Sequence, residues 1–207
     1  MLRIGALSIR MTHTNINTIY MELVMKRILS TYYVVTVALL TFSVARAQMP
    51  EMPKPQKEHE FLQKFVGEWN SEGKGVAGPD QPPMECKGST TSRMLGGFWL
   101  ISEGKNEAMG QPMETLMQVG FDPRKGKYVG TWTDSVFNHL WHYEGTVEGD
   151  TLTLNAEGPN MMEPGKMANY RDAFEFKSAD HYTLTSSAQG EDGKWTTFMT
   201  SEYLRKK

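Results

Sequence analysis

Cysteine is almost missing from this chain: Cys86 is the only one in 207 residues. A lone cysteine closes no internal disulfide, so stability has to come from a packed core. A nucleophile elbow of the Gly-x-Ser-x-Gly type is absent too. The serines are scattered, and Cys86 falls on a predicted strand without an adjacent histidine, so no nucleophile stands beside a base. Gly73, Gly75 and Gly78 do not follow a strand and open a helix, which argues against a phosphate loop. Basic charge is scarce. Residues 48–207 hold 17 Lys and Arg against 23 Asp and Glu, a net charge of −6. That acidity argues against nucleic acid or an anionic membrane as partner.

Long apolar runs are missing everywhere except near the start. Lys26 and Arg27 precede an almost uncharged stretch, Ile28 to Val44, which ends in Ala45-Arg46-Ala47. Basic, apolar, then small-x-small is the layout of a secretory signal peptide cut after Ala47. Met25 directly precedes the basic pair, so Met25 to Ala47 makes a complete signal. Residues 1–24 then read as an over-extended start or as a poorly ordered leader. A membrane anchor is the rival reading, but spanning takes about 20 apolar residues, and Ser30, Thr31, Thr36, Thr41 and Ser43 dilute this run. The expectation is an exported protein, periplasmic or secreted, with no stable membrane anchor once the signal is gone.

Residues 48–56, with Pro50, Pro53 and Pro55, form an extended linker, and 57–207 form one domain of comfortable size. A short helix is predicted at 57–66, with Phe61, Leu62, Phe65 and Val66 on one face and Gly67 ending it. Beyond it the period changes from 3.6 to 2. Strands are predicted near 68–76, 84–94, 97–105, 113–121, 126–133, 137–147, 150–157, 168–177, 180–188 and 195–204. Asp122-Pro123-Arg124-Lys125-Gly126, Glu148-Gly149 and Asp192-Gly193 supply turn chemistry between them. The loop Gly158 to Lys166 is the longest. About ten consecutive antiparallel strands with short connections must close or leave edges unpaired. The fold class is therefore all-β: an antiparallel up-and-down barrel, plugged at one mouth by the helix, and wide enough to enclose a cavity.

Gly67-Glu68-Trp69 resembles the Gly-x-Trp signature of the lipocalin-like (calycin) barrels, in which the Trp closes the base under a basic residue from the far end of the chain. Arg205 fits that role by cation–π stacking. Five further blocks fall in the order seen in the bacterial family known as domain of unknown function 1579: Leu95-Gly96-Gly97-Phe98, Gly120-Phe121-Asp122, Tyr128 to Ser135, Thr151 to Leu154 and Tyr203 to Lys206. The resemblance covers nearly all of 48–207 and implies a lipocalin-like barrel with no established activity. A haem-binding relative of this barrel class uses a His on a late strand. Trp195 to Leu204 contains none, and no cofactor is expected.

Strand parity separates lumen from surface. One face carries Met113, Thr115, Met117, Val119 and Phe121. Others carry Tyr128, Gly130, Trp132 and Asp134, then Phe137, His139, Trp141 and Tyr143, then Tyr170, Asp172, Phe174 and Phe176. Aromatic faces with embedded polar residues are the composition of a ligand pocket, and also of a filled core with hydrogen-bonded polar groups. Met117, Trp132, Asp134, His139, Tyr143, Tyr170 and Asp172 are the candidate ligand-binding residues. Gly67, Trp69 and Arg205 are the structural closure. His139 pairs with Asp134 or Asp172, with a ligand-anchoring role preferred to a catalytic or metal-binding one. His139 and His142, three apart on a strand, point to opposite faces and do not chelate one metal. His59 and His181 are expected at the surface. Met109, Met113 and Met117 suggest a thioether copper site, which Pro112 interrupts, and no metal is expected. The reading is a barrel that binds a small apolar or amphipathic molecule. The alternatives are an enzyme built on His139 and an aspartate in the same cavity, or a filled barrel acting through its surface in an envelope complex.

Overall fold

A computed structural model describes residues 13–46, 51–76, 83–108 and 110–207. The chain divides into two compact units, Met1–Pro53 and Lys54–Lys207. The first contains α1 (His13–Arg46), whose described side chains, residues 17–33, are nearly all exposed. Among the described residues no helix is long and apolar enough to cross a membrane. The small-x-small cleavage position at Ala47, the start of the linker and Met109 of the methionine series lie outside the described residues.

The second unit holds α2 (Lys57–Gln63) and ten strands: β1 (Gly67–Gly75), β2 (Met84–Leu95), β3 (Trp99–Ala108), β4 (Gln111–Asp122), β5 (Lys127–Asp134), β6 (Trp141–Glu148), β7 (Thr151–Pro159), β8 (Met167–Ser178), β9 (His181–Gln189) and β10 (Trp195–Arg205). Each strand pairs antiparallel with the next, and β1 pairs with both β2 and β10, so the meander closes into a barrel without a free edge. The turn glycines do the work expected of them. Gly126, Gly149 and Gly193 have φ of 64°, 59° and 78°, the left-handed region that costs glycine little. Asp122 caps its own turn by accepting from the Arg124 amide at 2.9 Å.

Helix α2 is shorter than its pattern suggests. It gives way at Lys64 to a tighter turn in which Lys64, Phe65 and Val66 donate three residues back, to Phe61, Leu62 and Gln63. That tightening turns Phe65 into the barrel, where it is 2% exposed. His59 is not a surface residue: it is 3% exposed, packs edge-on against Phe98 and Phe121, and its Nδ1 accepts from the Gln56 amide at 2.9 Å. A helix this short needs its first-turn donors satisfied locally, and the imidazole supplies one acceptor.

The base of the barrel is closed by aromatics. Trp69 is fully buried, donates from Nε1 to the Phe65 carbonyl at 2.8 Å, and lies under the Arg205 guanidinium, 4.1 Å from the ring centre. The same guanidinium donates to the carbonyls of Val66 at 2.6 Å and Lys64 at 3.0 Å and to Asp180 at 3.0 Å. The last strand therefore clamps the segment joining helix to barrel. Gly67 (φ 127°) is where a side chain does not fit, since a Cβ there would meet Arg205 Nη1 at 2.5 Å.

One predicted strand is wrong at its start. Residues 137–140 are not in the sheet, and β6 begins at Trp141. Asp134 Oδ1 accepts from the amides of Val136 and Phe137 at 2.6 and 2.7 Å. This local turn draws the backbone out of the ladder, a competition typical of aspartate.

Candidate functional site

Alternation points one face of each strand into the lumen, and its exposure changes along the barrel axis. Near α2 the inward residues are sealed: Trp69, Leu100, Val119 and Leu152 are all 0% exposed. Toward the other mouth the inward set is Gly73, Cys86, Gly88, Thr90, Asn106, Thr115, Trp132, Tyr170 and Met199, all partly exposed. Asp172 and Tyr203 sit mid-barrel and are partly exposed too. In a closed barrel their side chains line the lumen. One wall of that lumen is made of small residues on β1, β2 and β3, and the opposite wall is aromatic.

The aromatic wall gathers most of the candidates. Registers align Met117, Trp132 and Trp141 across β4, β5 and β6. The Trp141 ring meets Trp132 at 6.4 Å and Tyr170 at 4.9 Å, edge to face. Tyr170 in turn meets Phe198 at 6.1 Å, beside the register shift in β10. His139, carried by the loop, packs edge-on against Trp141 at 5.0 Å. Trp141 is 7% exposed, and its indole N–H is a buried donor without a partner. Sequence reasoning placed Trp141 on this face without counting it in the site.

Deeper in, Asp172 anchors a chain of hydrogen bonds. Tyr143 Oη on β6 donates to Oδ2, spanning the intervening strand β7 on the same wall. Ser186 Oγ donates to Oδ1 at 2.5 Å. Both donors are neutral, and no Lys, Arg or His is among the residues the structure brings to this carboxylate. Burial raises the Asp172 pKa above the usual carboxylate value, partly offset by the hydrogen bonds from Ser186 and Tyr143. Burial and the neighbouring carboxylate push Tyr143 well above an ordinary phenol, and burial with the Asp172 charge pushes Tyr203 up to about 12. Ser186 was missed in the sequence. Its signal was the inward parity of Tyr182, Leu184 and Ser186, a small polar residue among large apolar ones.

The expected pairing of His139 with an aspartate does not form. His139 Nε2 lies 3.4 Å from the Glu157 carbonyl, Asp134 holds its own turn, and Asp172 is taken by Tyr143 and Ser186. The two carboxylates share no partner. His181 is engaged at the surface with Glu202 at 2.5 Å. Among the described residues no group of three or more His, Cys, Asp or Glu is arranged to hold a metal.

Two features shape access. Val136, Phe137, Leu140, Met161, Met162 and Met167 lie at the open mouth, in and beside the β5–β6 and β7–β8 connections, and are each about half exposed or more. The β6–β7 ladder stops at Glu144 and Asn155, leaving a split in the wall toward the mouth. A groove of about 290 Å³ lies on the outside there, lined by residues including His142, Glu157 and Trp195. It is shallow and open to solvent, whereas the lumen holds the buried polar groups.

A family model described as "Protein of unknown function (DUF1579)" matches residues 54–205. No curated protein matches the chain in sequence. Among solved structures, the crystal structure of Rv2717c from M. tuberculosis is similar at 14% identity and TM-score 0.52, over 74% of this chain and all of its own. The S-type phycobiliprotein lyase CPES from Guillardia theta gives 15% identity and TM-score 0.46, over 75% and 99%. A de novo fluorescence-activating β-barrel gives 14% identity and TM-score 0.40, over 70% and 96%. At these identities the likeness is one of fold.

Proposed function

From the premise that the chain belongs to the DUF1579 family of proteins of unknown function, we propose that it binds a small amphipathic molecule in the open half of its barrel. The observation that carries this reading is the residual exposure of inward side chains inside a closed wall. A filled barrel would bury Thr90 and Trp132 as fully as it buries Leu100 and Leu152. The unpartnered Trp141 N–H supports the same reading, because a buried donor left alone costs about 1–3 kcal/mol that an acceptor on a guest would recover. The apolar rim suits entry of a molecule with a hydrocarbon part. An enzyme built on His139 with a carboxylate loses its support, since the two are not in contact.

Native mass spectrometry of the full chain tests the proposal. A reproducible adduct, lost on denaturation and absent from Thr90→Trp, is the expected result. A bare mass, together with no uptake of the neutral dye N-phenyl-1-naphthylamine, would overturn it in favour of a barrel that works through its surface. The lumen is not to be filled at Gly130, where a Cβ would strike the Gln118 carbonyl and destabilise the wall in either case.

Export to the periplasm or the medium is part of the proposal, supported by the layout of Lys26 to Ala47. N-terminal sequencing of the chain recovered from outside the cytoplasm should begin at Gln48. Recovery of an intact Met25 start from the cytoplasm would refute it.

A further inference from the structure

Taking the proposed lumen as given, we infer that its guest carries a cationic nitrogen, inserted head-first so that the ammonium group meets the Asp172 carboxylate while the apolar tail lies at the rim. The inner and outer faces of the barrel wall differ in charge. Outward positions mix signs, as in Glu68, Glu72 and Lys74 on β1, all exposed. Inward positions among the described strand residues carry two carboxylates, Asp134 and Asp172, and one cation, Arg205. The cation is at the sealed base and is already used by Trp69, the carbonyls of Val66, Lys64 and Ala179, and Asp180. The open half of the lumen thus holds negative charge with nothing of opposite sign.

Both carboxylates have unmet capacity. Asp134 Oδ2 is buried and accepts from nothing, although its Oδ1 is fully engaged by the turn. Asp172 accepts one bond at each oxygen from neutral hydroxyls, and each oxygen keeps a further lone pair. A charged carboxylate taken from water is stabilised most strongly by a hydrogen-bonded partner of opposite charge. The surroundings of Asp172 suit a cation in a second way. Tyr143, Trp141, Tyr170 and Tyr203 present ring faces and edges to the same space, and aromatic rings attract ammonium groups by their quadrupole. An anionic guest would meet two carboxylates at close range. A neutral guest would leave the asymmetry between inner and outer faces without use.

The rim fixes the orientation. Phe137, Leu140, Met161 and Met162 are exposed apolar residues at the mouth, so a hydrocarbon tail is accommodated there and the polar head must lie inward. This is the reverse of a barrel that holds a fatty acid tail-first beneath a basic cap.

Isothermal titration of the full chain at pH 7 with octylammonium, 1-octanol and octanoate tests the inference, since the three differ only in head-group charge. Octylammonium should bind at least about ten-fold more tightly than 1-octanol, a difference of about 1.4 kcal/mol, with octanoate weakest. Asp172→Asn should bring octylammonium to the level of 1-octanol. If that variant does not fold, the wild-type order of the three probes decides by itself. Thr90→Trp should lose all three, and octylammonium binding that survives it is attraction to the acidic outer surface and overturns the inference. Equal affinity for the amine and the alcohol, or tightest binding of octanoate, also overturns it while leaving a lumen that binds. No binding of any probe overturns the lumen reading as well.

Discussion

Trp69→Ala should lower stability by about 3–5 kcal/mol, the range for truncating a fully buried Trp, measured by denaturant unfolding of the full chain. The size of the effect follows from what the indole does. It is fully buried, its N–H is spent on the Phe65 carbonyl at 2.8 Å, and its face receives Arg205. It also packs edge-on against Tyr182 at 4.8 Å and Phe176 at 6.4 Å, pairs that contribute about 0.5–1.5 kcal/mol each beyond area. Removal leaves a cavity at the point where first and last strands meet. Arg205→Lys should recover little of the wild-type contact, because an ammonium cannot reach two carbonyls and Asp180 with a planar fork. A Trp69→Ala loss under about 1 kcal/mol would mean that the base is held by α2 alone.

Asp172→Asn should act in the opposite direction and raise stability at neutral pH. The sign follows from the direction of the pKa. Asp172 is held above the ordinary carboxylate value by burial, so the folded state disfavours its charged form relative to the unfolded chain. The penalty is full at pH above the folded pKa, shrinks as pH falls below it, and is gone only below the ordinary carboxylate pKa, where folded and unfolded chains both carry the proton. Asn keeps the shape, an acceptor for Ser186 or Tyr143, and no charge. Thermal unfolding of the two proteins should therefore differ at pH 7, by about 2–4 °C for each kcal/mol in a chain of this size, and converge in acid. A wild-type chain more stable than the variant at pH 7 would show that the hydrogen bonds from Tyr143 and Ser186 outweigh the desolvation of the charge. Tolerance of a destabilising carboxylate mid-barrel is what a binding group shows when its partner is a ligand, in keeping with the trade between stability and function.

Much of the architecture was legible from local chemistry. Ten runs of alternating and β-branched residues, separated by Asp-Gly, Glu-Gly and Asp-Pro turns, leave few ways to bury one face of every strand. Closure through Gly67, Trp69 and Arg205 followed from the resemblance to the lipocalin-like barrels, and the register places Trp69 opposite Arg205. The errors have a common cause: a side chain that bonds to nearby backbone is invisible to periodicity. Asp134 caps its own turn and so removes Phe137 and His139 from the sheet. His59 reads as an exposed helical residue until its Nδ1 is seen to accept from Gln56. Within the site, parity found Asp172, Tyr143, Trp132 and Tyr170, because facing into a barrel is a property of each strand taken singly. Parity also turns Ser186 inward, but a serine becomes informative only when the neighbouring strand is known to present a carboxylate.

The pairing of β1 with β10 also sets a timetable. Every other neighbouring pair in the wall is joined by a short connection, but Trp69 finds Arg205 only after the whole barrel sequence lies between them. Contacts this distant along a chain form late and slow the overall reaction. β10 follows the other nine strands, so until it is in place the wall is an open meander with two unpaired edges, β1 and β9, the kind of edge that a neighbouring chain can pair with.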